Sequence, residues 1–152
     1  MKKIIITGGL GHIGSYLIEM FLKKEKNLHL IIIDNLQSQR FPSLFDLNVK
    51  NNKISFYDIN IAKENISKAV KKANLLIHLS AITDAENSVG KEKIYQENNL
   101  RCTEEAINHS RRFNVPLIFP SSTSVYSKMK FNQILYENNK KILFPQSPYA
   151  KI

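Results

Sequence analysis

The sequence predicts an α/β fold in which a doubly wound parallel sheet carries helices on both faces. Three observations lead there. Short apolar runs alternate with longer amphipathic stretches; the short runs are apolar or β-branched throughout; and a glycine-rich turn joins the first run to the first amphipathic stretch. Parallel strands covered on both sides appear as continuous apolar runs, and a β-α-β-α order places them in one sheet.

The elements follow in order. Ile4–Ile6 forms the first strand, Ile13–Lys24 the first helix and Leu28–Ile33 the second strand, after which comes a polar connection. Ile54–Tyr57 is the third strand, Ile61–Lys72 a helix, Leu75–Leu79 the fourth strand, Asn87–Phe113 a long helix and Pro116–Phe119 the fifth strand. Basic pairs stand at expected helix ends (Lys23/Lys24, Lys71/Lys72, Arg111/Arg112, Lys140/Lys141), where they complement the negative ends of helix dipoles. Near the C-terminus Ser147 is a good N-cap and Pro148 suits the first helical position, so another helix starts there. A single turn gains too little to offset its nucleation cost, so this start implies a longer functional protein. The 152 residues are expected to form one domain, 1–152, an N-terminal fragment of a larger enzyme.

Composition removes several function classes. No apolar run approaches the roughly 18 residues that a membrane span needs. Met1-Lys2-Lys3 and Ile4-Ile5-Ile6 are too short for an export signal, and the lone Cys102 rules out an internal disulfide, so the cytoplasm is the default compartment. The net charge of +9, from 22 Lys+Arg against 13 Asp+Glu, is spread over the chain. Without an aromatic-interleaved basic stripe it predicts neither nucleic-acid nor membrane binding. His29, His78 and His109 lack metal-ligand spacing, and no metal is expected.

The chemistry concentrates in Thr7-Gly8-Gly9-Leu10-Gly11-His12-Ile13-Gly14, between a strand and a helix. Gly8 allows a tight turn, Gly11 lets backbone N–H groups approach a pyrophosphate, and Gly14 lets helix and strand pack closely. His12 and Ile13 complete the candidate phosphate site at the helix N-terminus. Asp34 ends the second strand 20 residues after Gly14. A carboxylate there accepts both hydroxyls of the adenosine ribose and repels a 2′-phosphate, which favours NAD over NADP in a Rossmann-type fold.

These segments, with Asn35-Leu36 after Asp34, resemble the extended short-chain dehydrogenase/reductase family, in particular its NAD-dependent nucleotide-sugar epimerases and dehydratases. Further matches occur in family order. Asp58-Ile59 resembles the pair used at the adenine ring, His78-Leu79-Ser80-Ala81 a segment ending the fourth strand, and Asn98-Asn99-Leu100 the start of the long helix. Phe119-Pro120-Ser121-Ser122-Thr123-Ser124-Val125-Tyr126 resembles the serine-rich strand end, and Ser147-Pro148-Tyr149-Ala150-Lys151 the start of a Tyr-x-x-x-Lys helix. The resemblance implies cofactor contacts at Asp34, Asn35, Asp58, Ile59, Leu79, Ser80, Ala81, Asn99 and Tyr149. It implies catalytic roles for Ser122 and Tyr149, with Ser124 a second hydroxyl nearby.

Removing a hydroxyl proton during hydride transfer requires a base within hydrogen-bond reach. A free tyrosine is ionised to only about one part in a thousand at pH 7, a handicap of roughly 4 kcal/mol. In the family a lysine four residues on lowers that barrier; here it would be residue 153, while Lys151 stands on a different helix face. The 152-residue chain is therefore expected to lack both this lysine and the later substrate-binding segment, and to show little turnover.

Departures from the family bear on the reaction. Dehydratase-like members carry Asp-Glu after the catalytic Thr, where this chain has Thr123-Ser124, and neither hydroxyl is a usable acid. UDP-galactose 4-epimerase-like members place a lysine at position 83, here Thr83, and a glycine at position 127, here Ser127. The expectation is a nucleotide-sugar epimerase or reductase. A non-catalytic NAD-binding regulator or scaffold and a dehydratase are the alternatives, and a homodimer is left open.

Overall fold

The computed structural model describes residues 1–38, 41–45, 47–84, 88–126, 136, 143–145 and 147–152. Among them five strands form one parallel sheet in the order β3-β2-β1-β4-β5. The strands are β1 (Lys2–Thr7), β2 (Leu28–Asp34), β3 (Lys53–Asp58), β4 (Leu75–His78) and β5 (Leu117–Ile118). The helices are α1 (His12–Lys24), α2 (Ser67–Val70), α3 (Glu92–Tyr95), α4 (Arg101–Phe113) and α5 (Pro148–Lys151). β1 pairs with β2 from Lys2↔Leu28 to Thr7↔Ile33 and with β4 from Ile4↔Leu75 to Thr7↔His78.

The two-residue period of a strand splits these apolar runs into two cores. Ile4, Ile6, Leu30 and Ile32 point to one face, where Ile18 and Leu22 of α1 cover them. Ile5, Ile31 and Ile33 point to the other, against Val70 of α2 and Cys102 and Ala106 of α4. The doubly wound, two-faced sheet is thus the one expected. Its outer strands are less enclosed: β3 has no fully buried residue, and Ile118 of β5 is exposed. No helix among the described residues is long and apolar enough to cross a membrane.

The expected helix Ile61–Lys72 contracts to Ser67–Val70. Asparagine side chains on either side of its first part capture the backbone. Asn60 Oδ1 accepts from the Ala62 N–H, and Asn65 Oδ1 accepts from the Ser67 N–H. Such local turns compete with helical hydrogen bonding. Ile61 and Ala62 still enter the core from turns.

The long helix also starts later than expected. Asn87, its expected first residue, lies outside the described residues. Gly90 takes φ +76, a left-handed conformation incompatible with a helix, and α3 begins at Glu92. From there helical backbone runs to Phe113 through a π segment, Gln96–Leu100, so Asn98-Asn99-Leu100 sits inside the helix and not at its start. At Ser147-Pro148 the expected cap forms: Ser147 Oγ accepts from the Ala150 N–H at 3.2 Å. Ser127 and the run Asn138-Asn139-Lys140-Lys141 lie outside the described residues.

Ile32 has no exposed surface and Ile118 is half exposed. Replacing Ile32 with Ala should therefore cost about 2–5 kcal/mol of unfolding free energy, and Ile118→Ala under about 1 kcal/mol, in urea titration. Equal losses would contradict the core assignment.

Candidate functional site

The sheet reverses its winding between β1 and β4, and a cleft of about 1040 Å³ opens above the C-terminal strand ends at this switch point. Open α/β sheets bind ligands at such places. Every strand end supplies part of the wall: Gly8 after β1, Asp34 at the end of β2, Ile59 after β3, His78 to Ala81 at β4 and Phe119 to Ser122 after β5.

Gly8 occupies φ +64. Its N–H donates to the Ile33 carbonyl at 2.8 Å, and its own carbonyl accepts from Gly11 at 3.1 Å, closing a tight turn. A Cβ on Gly8 would lie 2.7 Å from the Leu79 carbonyl and the Ser80 nitrogen. At Gly14 a Cβ would come 2.5 Å from the Gly9 carbonyl oxygen, so helix and strand approach too closely for any side chain. The N-terminus of α1 thereby reaches the cleft, which Gly11, His12, Ile13 and Gly14 all line. No side chain caps this helix and no acidic residue stands in its first turn. Its positive end therefore faces the cleft, an arrangement suited to a phosphate group.

Asp34 is nearly buried and fixed at both oxygens. Oδ2 accepts from the Leu10 N–H and Oδ1 from the Leu36 N–H, each at 3.0 Å. Each oxygen keeps a lone pair for a ligand hydroxyl. These residues fit a dinucleotide: bare helix amides for phosphates, and a fixed carboxylate for ribose. Asn35 lines the cleft beside Asp34. Asp58 is exposed at the end of β3 and outside the lining, which Ile59 and Asn60 provide on that side.

His78 is almost completely buried beneath the cleft floor, and its hydrogen bonds define its tautomer. The Thr7 hydroxyl, whose oxygen also accepts from the Leu79 N–H at 3.2 Å, lies 2.7 Å from His78 Nδ1 and donates to it, because the Thr103 hydroxyl spends its proton elsewhere and leaves Nε2 as the ring's donor. Thr103 donates to the Asn99 carbonyl at 2.9 Å, and its oxygen receives the Nε2–H of His78 at 3.4 Å. Burial lowers the His78 pKa to about 4, so the ring is neutral at pH 7. Cys102, also on the wall, is buried, and burial raises its thiol pKa.

Leu79, Ser80, Ala81 and Asn99 all line the cleft. The Asn99 side chain is engaged at both polar ends: Oδ1 accepts from the Ile82 N–H at 2.8 Å and Nδ2 donates to the Ile82 carbonyl at 2.9 Å. Ser122 lines the cleft and shares a hydrogen bond with the Ser124 hydroxyl while accepting from the Ser124 N–H at 3.3 Å. Tyr149 lines the same cleft, and so does Lys151. Thr83 and Asp84 complete the outer wall; Ala85, Glu86 and Asn87 lie outside the described residues.

The sequence model of the NAD dependent epimerase/dehydratase family matches residues 4–152. The chain belongs to that family. The family is NAD dependent, which agrees with the cofactor expected from Asp34 and the glycines. A dTDP-D-glucose 4,6-dehydratase of Dictyostelium discoideum is 29% identical over 99% of this chain and 37% of its own length. A UDP-glucose 4-epimerase of Yersinia enterocolitica is 30% identical over 84% of this chain and 39% of its own. Among solved structures, a UDP-N-acetylglucosamine 4-epimerase of Methanobrevibacter ruminantium M1 superposes with a TM-score of 0.84 at 29% identity, covering 99% of this chain and 46% of the other. The chain thus spans less than half the length of these epimerase/dehydratase relatives.

Thr103 and the buried role of His78 carry no local sequence signal. Their signal is long-range, since Thr7 and His78 are 71 residues apart.

Gly8→Ala adds a Cβ where φ is positive and no space exists, so it should weaken NAD binding at least about tenfold and lower the melting temperature. Unchanged binding would contradict the turn geometry. His78 has a folded pKa below the ordinary 6.5. Its contribution is complete above pH 6.5 and fades as pH falls toward 4, because only the unfolded chain takes up the proton. Between pH 7 and 4.5 the parent should lose about 2–3 kcal/mol more unfolding free energy than His78→Asn. Parallel pH curves would refute a buried neutral His78.

Proposed function

We propose that this chain is the NAD-holding part of a nucleotide-sugar epimerase or reductase that works by transient hydride transfer at a sugar carbon. The observation that carries the proposal is the shared cleft. The glycine turn, Asp34, Ser122 and Tyr149 all line it, although they come from opposite ends of the chain. The Gly11–Gly14 amides hold the pyrophosphate, and the fixed Asp34 carboxylate accepts the adenosine ribose hydroxyls. Asn35 and Ile59 flank the adenosine side, and Leu79, Ser80 and Ala81 form the floor toward the reacting end. Bound NAD supplies the hydride acceptor.

Ser122 and Tyr149 hold the reacting sugar hydroxyl between them, and the phenol oxygen of Tyr149 takes its proton. The proton between Ser122 and Ser124 can sit on either hydroxyl, and with Ser124 donating, the Ser122 hydroxyl is free to donate toward substrate. Asn99 serves by holding the Ile82 backbone, since both ends of its amide are engaged there. The substrate class, a nucleoside diphosphate sugar, is supported by the UDP- and dTDP-sugars in the relatives' names. Dehydration is disfavoured because Thr123 and Ser124 supply no acid for a leaving hydroxyl.

The test is NADH fluorescence with product analysis in the full-length protein, offered UDP-, GDP-, CDP- and dTDP-sugars in turn. One of them should give sugar-dependent reduction or an epimerised product, and Tyr149→Phe should lower the rate by about 100-fold or more. NAD binding without reduction or epimerisation for any sugar would contradict the proposal and indicate a binding scaffold.

A further inference from the structure

α5 as described is one turn. Its own hydrogen bonds, from the Ala150 and Lys151 N–H groups to the Ser147 carbonyl, fix its backbone and leave the direction of the Tyr149 ring undetermined. That direction matters, because a proton acceptor displaced by an ångström from its hydroxyl loses much of its effect.

Among the described residues, the ring of Tyr149 meets that of Tyr95 at the end of α3. The two centroids are 6.3 Å apart with the planes at 79°, an edge-to-face arrangement. This geometry is favoured by the charge distribution of aromatic rings, and it prescribes orientation as well as distance. Tyr95 is itself held. It is 2% exposed, and its hydroxyl donates to the Asp84 carbonyl at 2.5 Å. Burial pushes the Tyr95 phenol up, with Asp84 and Tyr149 adding to the shift, so it keeps its proton and this bond. A second tie comes from the same segment. The Tyr149 N–H, one of the helix-start donors without an intrahelical partner, donates to the Oγ of fully buried Ser88 at 3.4 Å.

We propose that Tyr95 is a positioning residue: anchored to the Asp84 carbonyl and assisted by Ser88, its buried ring sets the orientation of Tyr149 in the cleft. The wall that carries Asp84 and the phenol of Tyr149 therefore move as one unit. A substrate that shifts this wall also shifts the proton acceptor.

The inference rests on Tyr149 acting as the proton acceptor, so Tyr149→Phe is the control. In the full-length protein Tyr95→Leu should lower kcat by about 10-fold to 100-fold, with KM for the nucleotide sugar and Kd for NAD within about threefold of the parent. Tyr95→Phe keeps the ring and should restore about half or more of the lost rate. A readout independent of turnover comes from tyrosine-labelled NMR of the 152-residue chain. Cross-relaxation between the Tyr95 and Tyr149 rings should be present in the parent and weaken in Ser88→Ala.

If Tyr149→Phe leaves turnover intact, the reading of Tyr149 as proton acceptor fails, and the positioning role fails with it. If Tyr149→Phe is inactive but Tyr95→Leu keeps the parent kcat, or loses kcat, KM, NAD affinity and melting temperature together, positioning alone is overturned. Absence of cross-relaxation between the two rings overturns it without any assay of activity.

Discussion

A Cβ on Gly8 would collide with the backbone of Leu79 and Ser80 at 2.7 Å, so the first and fourth strands can end side by side only while position 8 has no side chain. The cleft depends on that approach. It brings the N-terminus of α1 over the sheet, lets Thr7 reach His78, and turns the chain so that the Leu10 N–H meets Asp34. A phosphate site made of backbone amides needs no cationic side chain, but it does require this backbone to be held rigidly. The neighbouring constraint at Gly14 locks α1 against the turn.

Beneath the turn the polar groups form a chain with defined directions. The Leu79 N–H, Thr7, His78 and Thr103 each donate one hydrogen bond to the next group, the Asn99 carbonyl accepts the last, and the Asn99 side chain clamps Ile82. A neutral histidine is required for it, since a protonated ring would leave the Thr7 hydroxyl facing a donor. Buried polar groups of this kind stabilise only when every partner is present. Here they join the glycine-turn end of the cleft, at Thr7, to the wall at Ile82. The same cleft wall continues through Asp84 to Tyr95 and Tyr149.

The parts legible in the sequence are those set by local backbone demands. Gly8 and Gly14 are spelled by what a side chain would strike, Asp34 by its place at the end of a strand whose partner is fixed by pattern, and Ser147-Pro148 by capping chemistry. What escaped depends on side chains meeting across long distances. Asp58 follows a strand as expected, but β3 is an outer strand, and Ile59 and Asn60 line the cleft where Asp58 does not. Asn99 lines the cleft, but the pairing of its amide with Ile82, 17 residues away, is a long-range contact. The helix expected over Ile61–Lys72 had the right apolar spacing, but Asn60 and Asn65 diverted its backbone into turns. Tyr95 carries no local mark of its contact with Tyr149, far along the chain.

If helix amides and an anchored carboxylate together select an NAD-type dinucleotide, calorimetric titration of this chain with NAD and NADP will show it. Asp34 should give NAD at least about tenfold tighter binding, and Asp34→Ala should remove the preference while leaving the fold intact. Equal or tighter binding of NADP by the parent would contradict the account.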